Sequence, residues 1–160
     1  MSSNSFLDFL KDKSKYAQTV SASFLKSFRN QWRSKFAFNY FGITMHAGPC
    51  CMYSRSYDWH YFSYRDFQPT YAYFDSIASR TSAREWVIVF LEECNLPGLR
   101  IQFSELKNFL KNNPELNESI YFTPESFAWT LVFTHEYAFG PYLYLADNWR
   151  HKIIHDYNPK

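Results

Sequence analysis

The chain has 160 residues, of which 46% are hydrophobic, 22% aromatic and 20% charged, and its formal net charge is +2. This length suits one domain with a core of its own. Apolar runs all fall short of the about 20 residues that a membrane-spanning helix needs, and the N-terminus lacks the order of a signal peptide. We therefore expect a cytoplasmic protein that has no membrane segment.

The net charge conceals an uneven distribution along the chain. Residues 1–41 carry seven Lys and Arg against two Asp, a balance of +5, whereas the remainder carries ten against thirteen. A basic N-terminal arm is suited to an acidic partner or to nucleic acid, which Arg29, Arg33 and Lys35 would contact. A solvated helix face is the alternative interpretation of the same charges.

Two helices are predicted at the N-terminus. Residues 5–15 have the pattern of a short helix, and residues 18–40 have that of a long amphipathic helix lying on a sheet. The long helix is predicted from side chains that recur every four residues: Val20, Phe24, Phe28, Trp32 and Phe36. An aromatic stripe of this kind is expected to pack into the core rather than to hold a ligand.

The middle of the chain predicts a strand over residues 57–64 and a helix over residues 69–80. In an extended strand, side chains alternate between the two faces. Asp58 and His60 therefore share one face of the predicted strand, and the opposite face carries Trp59, Tyr61 and Ser63.

A strand, a helix and a second strand are predicted over residues 85–122. The apolar run Trp86–Leu91 has the length of a buried strand, Ser104 is placed to cap a helix over residues 104–110, and residues 119–122 form a short strand. This order is typical of a βαβ unit, whose strands are parallel.

A β-hairpin is predicted from residues 128–134 and 142–145, with Gly140 before the return strand. Trp129, Leu131 and Phe133 lie on one face of its first strand. Because both faces are almost free of charge, this strand is predicted to lie inside the sheet, covered on each side.

These elements predict an α/β (α+β) fold of one domain over residues 1–160. A mixed sheet of about four or five strands would carry the long N-terminal helix on one side. The chain divides into a basic helical arm (1–41), a sheet core (42–147) and a tail (148–160).

The candidate catalytic residues are His135 and Glu136, at the end of the hairpin's first strand, together with His60 and Asp58. Histidine exchanges protons near neutral pH, and a carboxylate can orient it. Neighbouring side chains on an extended backbone point apart, so a turn-bound histidine and a solvated glutamate are the alternative. The three cysteines have no C-x-x-C spacing and H-E-x-x-H is absent, so we predict no metal and no cofactor.

Two segments resemble a known family. Trp59-His-Tyr-Phe-Ser63 and Trp129-Thr-Leu-Val-Phe-Thr-His-Glu136, followed by Gly140-Pro-Tyr142, are similar to the motifs of a family of small bacterial proteins classed as a domain of unknown function. Leu143 stands where that family has Phe. The resemblance implies a bacterial α/β protein and no particular activity. It groups eight residues into one cluster: Trp59, His60, Ser63, Thr134, His135, Glu136, Gly140 and Tyr142.

Three functions fit these observations. The first is a protein-binding protein, such as an immunity protein that neutralises a toxin or another defence component, because the chain is small and rich in Tyr and Trp. Its predicted binding residues are Trp59, Tyr61, Ser63, Thr134, Gly140 and Tyr142. A small hydrolase or nuclease that uses the candidate catalytic residues is the second, and a nucleic-acid-binding protein is the third.

Overall fold

A sheet of six strands organises the part of the chain that our computed structural model describes, residues 3–37, 77–79, 81–92, 96–112, 119–133 and 142–145. The helices are α1 (Ser3–Lys13), α2 (Ala22–Trp32) and α3 (Phe103–Asn112), and a π-helical segment, Arg33–Ala37, follows α2. The strands are β1 (Gln18–Val20), β2 (Trp86–Leu91), β3 (Gly98–Gln102), β4 (Ile120–Pro124), β5 (Trp129–Phe133) and β6 (Tyr142–Leu145). The predicted α+β class is confirmed, with one strand more than expected.

The described strands lie in the order β1-β3-β2-β4-β5-β6, and every neighbouring pair is antiparallel. The predicted parallel βαβ unit is therefore wrong, and the described part of the sheet is antiparallel rather than mixed. β3 lies between β2 and α3 in the chain, so the chain reverses direction once more than the sequence suggested. α3 then follows β3 directly, and the carbonyls of Glu85 and Ala83 accept its first two N–H groups, from Phe103 and Ser104, at 2.9 and 3.0 Å.

The predicted long helix over residues 18–40 is also wrong, whereas the predicted short helix matches α1. Residues Gln18–Val20 form β1, which pairs with β3. Ser21 then caps α2: its backbone is extended, and its Oγ accepts the N–H of Phe24 at 3.2 Å. An N-cap of this kind stabilises the start of a helix, and it fixes the point where the strand ends.

Helices cover both faces of the sheet. One face packs against α1 and α3, and its buried core includes Leu10, Leu106, Val89, Phe122 and Leu131. The other face packs against α2, and its core comprises Leu25, Phe28, Trp32, Ile88, Phe90, Tyr121, Phe127 and Val132. β2 contributes to both cores, which explains its uninterrupted apolar sequence.

The predicted hairpin is confirmed. β5 pairs with β4 on one side and with β6 on the other, in a register that sets Trp129 opposite Leu145 and Val132 opposite Tyr142. Every residue of β5 is buried. Its alternate side chains enter the two cores as the sequence predicted, with Leu131 in the first and Val132 in the second.

Three other predictions lie wholly or mostly outside the described residues. Ile77 and Ala78 are helical, within the predicted helix over residues 69–80. The predicted strand over residues 57–64 and the tail over residues 148–160 lie outside the described residues.

Candidate functional site

Nearly all of the residues predicted to form a site lie outside the described residues: Asp58, Trp59, His60, Tyr61, Ser63, Thr134, His135, Glu136 and Gly140. Whether they form one cluster therefore stays a prediction, as does the hydrolase or nuclease that depends on four of them. Tyr142 is the exception, since it is the first residue of β6 and pairs with Val132. The segment that contains His135 and Glu136 thus connects two adjacent strands.

Arg29 does not lie where a nucleic-acid contact requires it. Its side chain is only 5% exposed. The guanidinium donates to the carbonyl of Glu92 at 2.7 Å and to that of Leu91, and it lies 5.1 Å from the centre of the Phe90 ring. The predicted contact between Arg29 and phosphate is therefore wrong, because this charge is buried against the end of β2.

The periodicity of α2 explains this correction. The buried residues of α2 are Leu25, Phe28, Arg29 and Trp32, the i, i+3, i+4, i+7 pattern of one helix face. A strict four-residue repeat turns by about 40° at each step, since a helix has 3.6 residues per turn. The predicted stripe thus drifts off the buried face and leaves Phe24 at its edge.

The other two basic residues of the predicted contact lie in the π-helical segment. Arg33 is half-buried, and Lys35 is exposed with its Nζ 6.0 Å from the centre of the Phe127 ring. Their position neither favours nor opposes a contact with phosphate.

The face of the sheet under α2 also holds polar side chains. Trp32 Nε1 donates to Thr130 Oγ1 at 2.9 Å, and the hydroxyls of Thr130 and Thr123 are 2.8 Å apart. The hydroxyl of Tyr121 donates to the carboxylate of Glu92. Because these groups bond to one another, we interpret the cluster as part of the packing that fixes α2 on the sheet.

Two large hydrophobic side chains stand out among the described residues, because they are exposed: Tyr16 by 49% and Phe24 by 40%. They flank β1 in the chain, Tyr16 between α1 and β1, and Phe24 in the first turn of α2. α1 and α2 pack on opposite faces of the sheet; Phe24 belongs to α2, and Tyr16 lies in the turn that leads from α1 into β1.

Hydrogen bonds fix the backbone beside Tyr16. The carboxylate of Glu105, in the first turn of α3, accepts the N–H of Lys15 at 2.8 Å and the hydroxyl of Ser14. Lys11, near the end of α1, donates to Thr19 Oγ1 at 3.1 Å. The turn that carries Tyr16 is thereby tied to α3, and α1 is tied to β1.

Phe24 is held by its ring as well as by the Ser21 cap. The ring stacks on Phe28 with centroids 5.9 Å apart, and Phe28 stacks on Phe127 at 4.6 Å. Phe24 is thus the exposed end of a row of rings that continues into the second core.

β1 is the terminal strand of the described sheet, and two of its three residues are exposed. Thr19 points towards α1, whose Lys11 it contacts, and Val20 points towards α2, with whose core it packs. Gln18 and Thr19 are both exposed although their side chains point to opposite faces. Both faces of the sheet are therefore open to solvent at this strand.

Four exposed lysines lie close to this strand in the chain, and one of them, Lys11, contacts it. Lys11, Lys13 and Lys15 lie before β1 and Lys26 lies after it, against the exposed Asp8 and Asp12 of α1. The Nζ of Lys15 is 5.2 Å from the centre of the Tyr16 ring. We call Tyr16, Phe24, these four lysines and the backbone of Gln18–Val20 the β1 surface. Its net charge is positive.

Sequence reasoning missed the β1 surface. Phe24 was assigned to the core because it fits a four-residue repeat, although the i, i+3, i+4, i+7 face that starts at Leu25 leaves it out. The exposure of Tyr16 could have been predicted from its neighbours, since it lies between Lys15 and Gln18 and belongs to no apolar pattern.

Comparison with known proteins finds no match to the chain among family models, curated proteins or solved structures. Within the described ranges, no helix combines the length and the apolar character needed to cross a membrane. In the same ranges no three His, Cys, Asp or Glu residues are grouped so that they could hold a metal ion.

Proposed function

We propose that this protein acts by binding another protein, and that its partner is a toxin or another component of a bacterial defence system. The observation that supports binding is the pair of exposed rings, Tyr16 and Phe24, on either side of an open strand. Tyr and Phe are enriched in the cores of protein interfaces, and rigid rings lose little conformational entropy when they are covered.

The surroundings of Phe24 favour this proposal. Phe24 rests on Phe28, which in turn is packed between Phe127 and Phe90. A partner that covers Phe24 would therefore extend an existing row of rings and meet a surface that is already rigid. Rigid, central aromatic residues are the ones that dominate binding free energies.

The charges of the β1 surface indicate the chemistry of the partner. Four exposed lysines outnumber the three carboxylates of the neighbouring helices, which belong to Asp8 and Asp12 of α1 and to Glu105 of α3. Complementary charge raises the rate of association and disfavours wrong partners. We therefore propose a partner whose contacting surface carries Asp and Glu.

Affinity capture tests the proposal. The tagged full chain is used as bait in an extract of its native host, beside a Tyr16→Ser, Phe24→Ser double variant. We expect one partner to be retained by the wild type and at least about tenfold less by the variant, since interface rings contribute about 1–2 kcal/mol each or more. The control variant changes two other exposed positions of α2, Asn30→Ser and Gln31→Ser, and keeps the partner.

The circular dichroism melting curve of the control variant should coincide with that of the wild type, because Asn30 and Gln31 are exposed. The double variant should fold but melt at a lower temperature, since it loses the ring that stacks on Phe28, and capture is therefore compared well below that temperature. Equal capture by the wild type and the double variant would contradict the assignment of binding to the β1 surface. If no partner is captured by any of the proteins, the proposal of a protein-binding function is wrong.

The toxin is tested in a second step. The captured partner is expressed alone and together with the chain. Expression alone should stop growth, co-expression with the wild-type chain should restore it, and co-expression with the double variant should not. A captured partner that leaves growth unaffected would remove the toxin from the proposal and keep protein binding.

A further inference from the structure

We infer that the partner binds by adding an extended, acidic strand to β1, so that the sheet continues from one protein into the other. This inference rests on the proposed protein-binding function and specifies how the β1 surface would carry it out. Its evidence is the backbone of β1, the placement of the two rings and the sign of the surrounding charge.

The backbone of β1 offers hydrogen-bonding groups to an added strand. Within the described sheet β1 pairs on one side with β3. In an antiparallel pair alternate residues direct their N–H and C=O groups to opposite sides of the strand, so an edge strand presents some of them outward. An added strand would bond to these groups, which is a common mode of peptide recognition.

The two exposed rings offer side-chain contacts to the same added strand. β1 has only three residues, so it offers few backbone bonds, and side-chain contacts have to contribute the rest. The side chains of an added strand would alternate between the two faces of the sheet. Phe24 of α2 lies on one of these faces, and Tyr16 lies two residues before the strand. Exposed rings before and after β1 therefore suit an extended segment that runs along the strand.

The charge selects the occupant. Exposed lysines beside an edge strand oppose pairing with a second copy of the same chain, because the like charges would meet. The same lysines, Lys11, Lys15 and Lys26 among them, favour a strand that carries Asp or Glu. Single-stranded nucleic acid is less suited, since it lacks the alternating N–H and C=O groups that pair with the backbone of an edge strand.

The experiment uses a display library of random peptides of about ten residues, the length of a long strand. Peptides are selected on the full chain and measured by fluorescence anisotropy. We expect the selected peptides to be rich in β-branched residues and to contain Asp and Glu. When they bind, amide hydrogen exchange at Gln18–Val20 should slow.

N-methylation of the selected peptides is the decisive variation. A strand uses the N–H groups of every second residue towards one neighbour. Methylating that set should weaken binding at least about tenfold, whereas methylating the alternate set, with the same charges and side chains, should leave the affinity within about twofold. Equal effects of the two sets would overturn strand addition.

Variants of the chain test the charge and the site. A triple variant, Lys11→Gln, Lys15→Gln and Lys26→Gln, should bind the acidic peptides about tenfold more weakly at low salt, and its affinity should depend less on salt. The control is Lys107→Gln with Lys111→Gln, on α3, which should change neither the affinity nor its salt dependence. The Tyr16→Ser, Phe24→Ser double variant should no longer bind the peptides.

The outcomes separate this inference from the proposed function. If captured partner protein depends on both rings while the library yields no methylation-sensitive peptide, protein binding stands and strand addition is wrong. If a poly-thymidine oligonucleotide binds the β1 surface and no peptide does, nucleic acid is the ligand, and both proposals are wrong for this surface.

Discussion

Replacing Arg29 with Met separates a packing role from a role in nucleic-acid binding. Met retains much of the apolar stem and removes the guanidinium, which donates to the carbonyls of Leu91 and Glu92 and covers the ring of Phe90. The substitution leaves those two carbonyls at the end of β2 without their charged donor. We expect Arg29→Met to destabilise the protein substantially.

The magnitude follows from these contacts. Hydrogen bonds from a charged group contribute about 1.5–3 kcal/mol each, and a desolvated cation over a ring about 1–2 kcal/mol. The removal of a buried charge offsets part of this loss. A net cost of about 2–4 kcal/mol remains, which lowers the Tm of a chain of this size by roughly 5–15 °C.

Urea unfolding followed by tryptophan fluorescence measures the effect, and Lys26→Met on the same helix is the control. Lys26 is exposed, so its replacement should change the free energy of unfolding by less than about 0.5 kcal/mol. If Arg29→Met unfolds at the same urea concentration as the wild type, the guanidinium contributes nothing to packing and our interpretation of its burial is wrong.

Three further predictions concern the two cores and the turn before β1. Thr130→Val removes the acceptor of Trp32 Nε1 in a fully buried site and should cost about 2–3 kcal/mol. Gly98→Ala would place a Cβ 2.6 Å from the carbonyl oxygen of the paired strand and 2.9 Å from Leu25 Cδ1, and should cost about 1–3 kcal/mol. Glu105→Ala releases the turn that carries the exposed tyrosine and should speed local amide exchange about tenfold, with a global cost near 1 kcal/mol.

Each of these has its own comparison. Thr123→Val removes the neighbouring hydroxyl and keeps the acceptor of Trp32, so it should cost about half as much as Thr130→Val; equal costs would refute the assigned hydrogen bond. Gly98→Ala should be partly rescued by Leu25→Val, and the absence of any rescue would mean that the backbone contact dominates. If Lys15 exchanges at the wild-type rate in Glu105→Ala, the carboxylate does not hold the turn.

The parts of the fold that the sequence predicted correctly are those with a local pattern. β5 alternates its side chains between two cores and pairs with β6, and in the sequence Gly140 and the following Pro stand before the return strand, so the pairing and the faces of β5 followed from the chain itself. β2 was found for a similar reason, since a strand buried on both faces is apolar throughout.

The parts that failed depend on contacts between distant segments. β3 starts with Gly and includes Arg100, so it lacks the composition of a strand, and it forms because it pairs with β2 and β1. Arg100 is accommodated there by Glu125, whose Oε1 lies 2.7 Å from its Nε, and by the ring of Trp86. Without β3, the strands β2 and β4 were predicted to be parallel, whereas they are antiparallel.

The candidate site could be predicted even less well than the fold. A charged side chain within an apolar helix pattern is normally exposed, and Arg29 is buried because its guanidinium donates to carbonyls at the end of β2, a distant segment. Conversely, Phe24 is a residue type common in cores, and it is exposed because it lies at the edge of the buried face of α2 that starts at Leu25. Residue type alone gave the wrong environment for both.

The position of β1 in the sheet has a consequence for folding kinetics. Gln18 lies opposite Arg100, a separation of 82 residues, whereas β4 and β5 pair across a short turn. Local pairs form early and distant ones late, because closing a long loop costs entropy before any contact repays it. During synthesis β1 leaves the ribosome long before β3, so its edge stays unpaired until most of the chain has been made. We expect mutations in β1 to speed unfolding and to leave the folding rate nearly unchanged, as low φ-values would show.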